Sequence, residues 1–255
     1  MENKDYFDSN LYLNKAWPKK PETFKGWNEN RWLLTQYVES AKSIRQLKPQ
    51  QLRNLDISTG PILAPSLAFA PLLEVLQLSD FGETNRRLLR DMDIFYWENY
   101  AREVLILEGQ DPTEALVQER LRLLDGLRKT HVPVMVDIKQ KPILFDPFVD
   151  TTQFNLFSMH FVADSITGTK NEYFELLAKV LGLLKKGDIL AMSSLIECTR
   201  WDNGKNVFPS PNLKMVEISD FLIRNALRLL RDDVFIPDKP QGQDGGIGVT
   251  LAIKE

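Results

Sequence analysis

One cysteine, Cys198, stands in 255 residues, so neither an internal disulfide nor a thiolate metal site can be built from this chain. No long apolar run is present. The stretch from Ala68 to Leu73 falls far short of the roughly 20 residues that a spanning helix needs. The opening MENKDYFDSN is polar and has no apolar core of the kind a secretory signal requires. A basic excess is missing too, and a formal charge of −3 argues against a nucleic-acid surface. Neither an internal repeat nor a low-complexity linker interrupts the chain. These absences leave an expectation of a cytoplasmic protein, a monomer or weak dimer, with no metal, membrane or nucleic-acid partner. Hydrophobic residues make up 43% and charged residues 26%, which is ordinary for a globular chain that buries its own core. The length suits one domain, 1–255, with an N-terminal segment and helix over 1–50 and an α/β core over 51–255.

What is present alternates. Residues 1–30 mix Asn, Lys and Pro with Tyr6, Phe7, Tyr12, Trp17, Phe24 and Trp27. That mixture predicts an ordered segment laid over something apolar rather than a core strand or helix. From Asn28 onward, Trp32, Leu33, Tyr37, Ala41 and Ile44 recur at helical spacing. RNLDISTGPI reads as a buried strand stopped by a tight turn at Gly60-Pro61. Further strands are expected over 73–80, 132–137, 154–160, 189–192, 234–236 and 247–253. Helices are expected over 65–72, 83–93, 111–129, 171–184 and near 215–230. This order predicts an α/β fold, a doubly wound, mostly parallel, Rossmann-like sheet of seven strands.

In such sheets ligands sit at the carboxyl ends of the strands, where the topology reverses. Two features fall there. Asp56-Ile57-Ser58-Thr59-Gly60-Pro61 is a turn of small residues that lets a ligand approach the backbone. Asp80 closes the second strand twenty residues after Gly60, where an acid accepts hydrogen bonds from ribose hydroxyls. A dinucleotide cradle needs Gly-x-Gly-x-x-Gly for its pyrophosphate, and only Gly60 is present, followed at once by Pro61. An adenosine ligand without phosphates, such as S-adenosylmethionine, fits better. On spacing alone, a plain turn and a surface cap account for these residues about equally well.

The chain resembles the nicotinamide, phenylethanolamine and indolethylamine (thioether) methyltransferases over nearly its whole length. Tyr12-Leu13-Asn14-Lys15-Ala16-Trp17 is similar to that family's Tyr-Leu-x-x-x-Tyr segment, which implies an N-terminal aromatic lid, Tyr12 and Trp17, closing over the cofactor. Asp56 to Pro61 resembles its Asp-Ile-Gly-x-Gly-Pro loop, which implies cofactor contacts from Asp56, Ser58, Thr59, Gly60 and Pro61. Asp80-Phe81 and Asn85 are similar to its Asp-Tyr-x-x-x-Asn, so that Asp80 holds ribose with support from Asn85. Phe95, Trp97 and Glu108-Gly109 echo a Phe-x-Trp and Glu-Gly pattern peculiar to the family. Asp137 and Ile138 are similar to its Asp-Val pair at the adenine end, and Ser158 in the fourth strand completes the cofactor set. The resemblance implies a methyltransferase that uses S-adenosyl-L-methionine on a small-molecule substrate.

This chain also departs from the pattern. Ser58 stands for the first loop glycine, and Ala64 for a tyrosine that touches the cofactor carboxylate. Ser193-Ser194 stands where the family often has an aspartate for its amine or amide substrate. Catalytic candidates are His160, whose ordinary pKa suits proton acceptance, and Asp164, suited to orienting a cationic amine. Ser193, Glu197 and Trp201 are candidates for substrate binding. An amine nitrogen is the preferred acceptor, because a neutral amine needs no strong base and no obvious base dominates. S- or O-methylation, a non-catalytic S-adenosylmethionine-binding pseudoenzyme and a nicotinamide-dependent reductase are the alternatives.

Overall fold

Short apolar strands that are buried on both faces build the centre of the molecule. The computed structural model describes residues 9–21, 26–202, 206–237 and 245–255; Tyr6, Phe7 and Phe24 lie outside them. In chain order the strands are β1 (Leu52–Asp56), β2 (Leu73–Asp80), β3 (Val134–Asp137), β4 (Leu144–Phe145), β5 (Leu156–His160), β6 (Ile189–Ile196), β7 (Arg200–Asp202), β8 (Val207–Pro209), β9 (Leu227–Phe235) and β10 (Gly246–Lys254). Among the described residues, eight of them form one sheet in the order β4-β3-β2-β1-β5-β6-β10-β9, and β7 and β8 form a separate antiparallel hairpin. The pairs β1–β2, β2–β3, β1–β5 and β5–β6 are parallel, so their carboxyl ends share one edge. β10 runs antiparallel between β6 and β9.

The helices are α1 (Ser9–Ala16), α2 (Trp27–Leu47), α3 (Ala64–Phe69), α4 (Glu83–Asp91), α5 (Glu98–Leu107), α6 (Glu114–Thr130), α7 (Ala163–Ile166), α8 (Lys170–Leu181) and α9 (Met215–Arg224). Because side chains alternate along a strand, the sheet feeds two cores. Leu76, Leu78, Leu156 and Ile189 pack with α2, α3, α5 and α6 on one face. Leu55, Phe157, Leu190 and Met192 pack with α8 and α9 on the other. Thr169 starts α8 with a capping box, accepting from the Glu172 amide while Glu172 accepts from the Thr169 amide. No helix among the described residues is long and apolar enough to cross a membrane.

Several elements differ from the sequence expectation. The sheet has an eighth strand because two residues, Leu144 and Phe145, pair antiparallel with β3; a strand this short leaves no periodic signal. Residues 9–16 are helical, and Leu13 and Trp17 anchor that segment in the core. α5 was not expected, since its buried stripe Tyr100, Ala101, Val104 and Leu105 follows directly on a 3-10 turn over Ile94–Trp97. The helix expected up to 230 stops at Arg224. Ala226 adopts φ 59°, and the leucines that follow belong to β9.

Candidate active site

The carboxyl ends of β1 and β2 are tied together by Asp80. This residue is buried, and its Oδ2 accepts from the Gly60 amide at 2.9 Å. Its Oδ1 accepts from the Gly82 amide at 2.8 Å and from Asn85 Nδ2 at 3.1 Å. Burial raises the Asp80 carboxyl above its ordinary range, against the pull of these donors. A carboxylate has about four lone-pair positions, so one remains for a ligand hydroxyl. The loop from β1 is pinned from the same side. The Ser58 amide donates to Ser79 Oγ at 3.3 Å, the Thr59 amide donates to the Ser79 carbonyl at 2.7 Å, and the Ser79 hydroxyl donates to the Asp56 carbonyl at 2.8 Å. Ser58 takes φ 55° and Gly60 φ 61°. That backbone is one a glycine adopts without strain and a serine does not.

Asp56 is buried at the end of β1, and burial pushes its carboxyl up to about 7. Its Oδ1 has no hydrogen-bond partner among the described residues. A buried acceptor left open, beside a turn of small residues, fits the cationic methionyl end of S-adenosylmethionine. Ser158 is fully buried one strand away, exchanging hydrogen bonds with Asn54 at 3.0 and 3.1 Å. At the end of β3, Asp137 accepts from the Lys139 amide and from Gln140 Nε2, each at 3.1 Å, and Ile138 is buried. Phe81 is exposed, and Pro61 is buried.

Three successive residues of β6 bond to buried groups of neighbouring elements. Ser193 Oγ lies 2.9 Å from His160 Nδ1 and 3.1 Å from the Tyr37 hydroxyl. Ser194 Oγ lies 2.9 Å from the Tyr173 hydroxyl. The Leu195 amide donates to Asp164 Oδ2 at 3.1 Å. His160 sits edge-on to Tyr37 at 5.0 Å between ring centroids and is stacked on Phe69 at 6.4 Å. Burial drives this imidazole down to about 3, so it is neutral, and its buried Nε2 has no partner among the described residues. Asp164 is fully buried, with Oδ1 likewise unpartnered and its carboxyl pushed up to about 7 by burial. Burial, with the nearby Asp164, also raises the Tyr12 phenol to about 12.

Next to this row lies a cavity of about 360 Å³, walled by α1, the start of α2, β6 and β7. Tyr12, Trp17, Phe161 and Trp201 give it aromatic walls, and Lys15, Glu29, Asn30, Ser165 and Asp202 give it polar ones. Tyr12 meets Trp201 edge to face at 6.2 Å, and Lys15 forms an ion pair with Asp202, so α1 is joined to the β7–β8 hairpin. Trp17 packs on Tyr100 at 5.3 Å and on Trp97 at 6.1 Å. Of the residues expected on the substrate side, Trp201 lines the cavity, Ser193 lies beneath it in the Tyr37–His160 chain, and Glu197 is exposed outside its lining. The motif reading did not single out Tyr37, Glu29 or Phe161. Tyr37 was visible only as one of the regularly spaced apolar positions of a helix. No short motif relates Glu29 or Phe161 to β6, because only the fold brings them together. Among the described residues no group of His, Cys, Asp and Glu is arranged to hold a metal ion.

The model of the NNMT/PNMT/TEMT family matches residues 1–241. A nicotinamide N-methyltransferase of Caenorhabditis elegans is 23% identical over 254 aligned positions, covering 92% of this chain and 89% of the relative. Among solved structures, the N-methyltransferase NodS of Bradyrhizobium japonicum WM9, in complex with S-adenosyl-L-homocysteine, superposes with a TM-score of 0.51 at 11% identity, covering 96% of each chain. A SAM-dependent methyltransferase of Methanosarcina mazei gives 0.51 at 15% identity, with 83% of this chain and 96% of the other covered. The [4+2]-cyclase SpnF gives 0.50 at 12% identity over 85% of this chain and 80% of its own. At these identities the structural likeness speaks for the fold alone, as the presence of a cyclase makes plain.

Proposed function

We propose, from the premise that this chain belongs to the NNMT/PNMT/TEMT family and is therefore an S-adenosylmethionine-dependent methyltransferase of a small molecule, that the atom it methylates is an amine nitrogen. The observation that supports this reading is Asp164. A carboxyl near 7 with an unpartnered, buried Oδ1 suits receipt of a proton from an ammonium group. His160, held neutral near 3, is too weak a base to ionise a hydroxyl, and its Nε2 serves as a hydrogen-bond acceptor.

S-Adenosylmethionine supplies an electrophilic methyl group on a sulfonium that is also the leaving group. The rest is positioning. Asp80 accepts from a ribose hydroxyl, and Asn85 Nδ2 steadies its Oδ1. Asp56 faces the methionyl ammonium, with the backbone of Ser58, Thr59, Gly60 and Pro61 around it, and Ser158 supports this end of the sheet. Asp137 and Ile138 flank the adenine, with Phe81 beside it. Tyr12 and Trp17 cover the sulfonium; an aromatic face attracts such a cation by about 0.5–2 kcal/mol. Asp164 takes the proton that the ammonium gives up before attack, and the nitrogen that gains the methyl group leaves as a methylated ammonium. The aromatic walls exclude water and hold the nucleophile within about 3 Å of the carbon it attacks. In the same reading the protein acts in the cytoplasm as a monomer or weak dimer, without nucleic acid.

The test is mass-spectrometric detection of methyl transfer to a panel of small amines, thioethers and phenols. Amines are expected to be turned over. Products from thioethers or phenols alone would overturn the choice of nitrogen.

A further inference from the structure

We infer that Glu29, in the first turn of α2, is the acid by which the cavity recognises its acceptor, selecting small molecules that arrive with a positively charged nitrogen on an apolar body. The inference rests on the amine reading above and adds a residue and a charge requirement to it.

The argument begins with the charges in the cavity wall. Among the described residues, three ionisable side chains other than tyrosine line it: Lys15, Asp202 and Glu29. Lys15 and Asp202 form an ion pair and offset one another. No hydrogen bond or ion pair engages the Glu29 side chain among the described residues, and its neighbour Asn30 is already committed, donating to the Ala16 carbonyl at 2.8 Å. Burial alone raises the Glu29 carboxyl, as expected of a half-buried acid with no cation beside it among the described residues. The amino end of α2 still favours its anionic form. Among the described residues one net negative charge therefore faces the cavity, whose aromatic walls also attract cations through their faces.

A neutral or anionic acceptor leaves that carboxylate desolvated and unpaired, whereas an ammonium ligand pairs it. A volume of about 360 Å³ limits the ligand to a small molecule. A protonated nitrogen has no lone pair, so the ammonium read by Glu29 gives up its proton to Asp164 before attack. The two acids thus divide the work: Glu29 docks the cation, and Asp164 receives its proton.

The experiment titrates the full chain, loaded with S-adenosylhomocysteine, with matched ammonium and alcohol pairs: benzylamine and benzyl alcohol, cyclohexylamine and cyclohexanol, butylamine and butanol. Tryptophan fluorescence reports binding, since Trp17 and Trp201 line the cavity. In at least one pair the ammonium member should bind about tenfold or more tightly than the alcohol. Glu29→Gln should bring the two within about twofold, leaving affinity for the alcohol and for S-adenosylhomocysteine unchanged, and Glu29→Asp should retain the preference for the cation. Absence of any ammonium preference, or its persistence in Glu29→Gln, overturns the assignment. Methylation of the same amines is scored separately. Turnover without a Glu29-dependent preference removes the role of Glu29 and keeps the amine reading. A Glu29-dependent preference without any turnover of amines does the reverse.

Discussion

Asp56, Asp164 and His160 are ionisable groups whose protonation burial shifts toward the neutral form. In the native chain Asp56 and Asp164 titrate near 7, against an ordinary 3.8, and His160 near 3, against 6.5. The signs oppose. Each raised carboxyl lets the folded state bind more protons than the unfolded one, so its contribution is full below about pH 4 and is lost as pH rises toward 7. The depressed imidazole contributes above about pH 6.5 and is lost as pH falls toward 3. Asp164→Asn removes one carboxyl and leaves the imidazole. Its melting temperature relative to the unmodified protein should therefore climb between pH 4.5 and pH 8. A difference independent of pH would show that burial does not raise the Asp164 carboxyl. Ser58 illustrates a residue whose role the sequence conveyed only in part. Its position in the turn was evident, but its left-handed backbone, φ 55°, was not.

At the scale of elements, the close approach of α9 to the sheet depends on a missing side chain. A Cβ on Gly248 in β10 would lie 2.7 Å from Met215 Sδ and 2.9 Å from Ile196 Cγ1. Gly248→Ala should destabilise the fold by about 1–3 kcal/mol through overpacking, measured by urea unfolding. An unchanged midpoint would mean that α9 yields without cost. The central parallel strands could be read from their apolar runs, and Asp80 and Asp137 from acids placed where strands end. Elements governed by tertiary contact could not. β9 contains Leu227, Leu229 and Leu230, which suit a helical stripe as well as a strand, and only the turn at Ala226 decides between them. α1 is short and polar apart from a few residues, and it is ordered by partners far along the chain. The same reason hid the buried polar chain beside the cavity: Tyr37, Ser193 and His160 come from three separate elements.

For the whole molecule, cofactor binding and stability are one equilibrium. S-Adenosylhomocysteine at about a hundred times its dissociation constant should add about 2.7 kcal/mol. In a chain of 255 residues that corresponds to a rise in melting temperature of roughly 5–10 °C. NAD should produce no comparable shift, and Asp80→Ala should abolish most of the effect of S-adenosylhomocysteine. A shift with NAD in its place would revive the reductase alternative and displace the cradle around Asp80.

The contact between Lys15 and Asp202 joins residues 187 positions apart, and this has a consequence during protein synthesis. A ribosome adds about 5–20 residues per second, so α1 emerges some 10–40 s before the hairpin strand that latches it. Gly60 and Asp80, twenty positions apart, follow one another within about 1–4 s. The nascent chain thus holds both ends of the Gly60–Asp80 bond long before it owns the hairpin that walls the cavity.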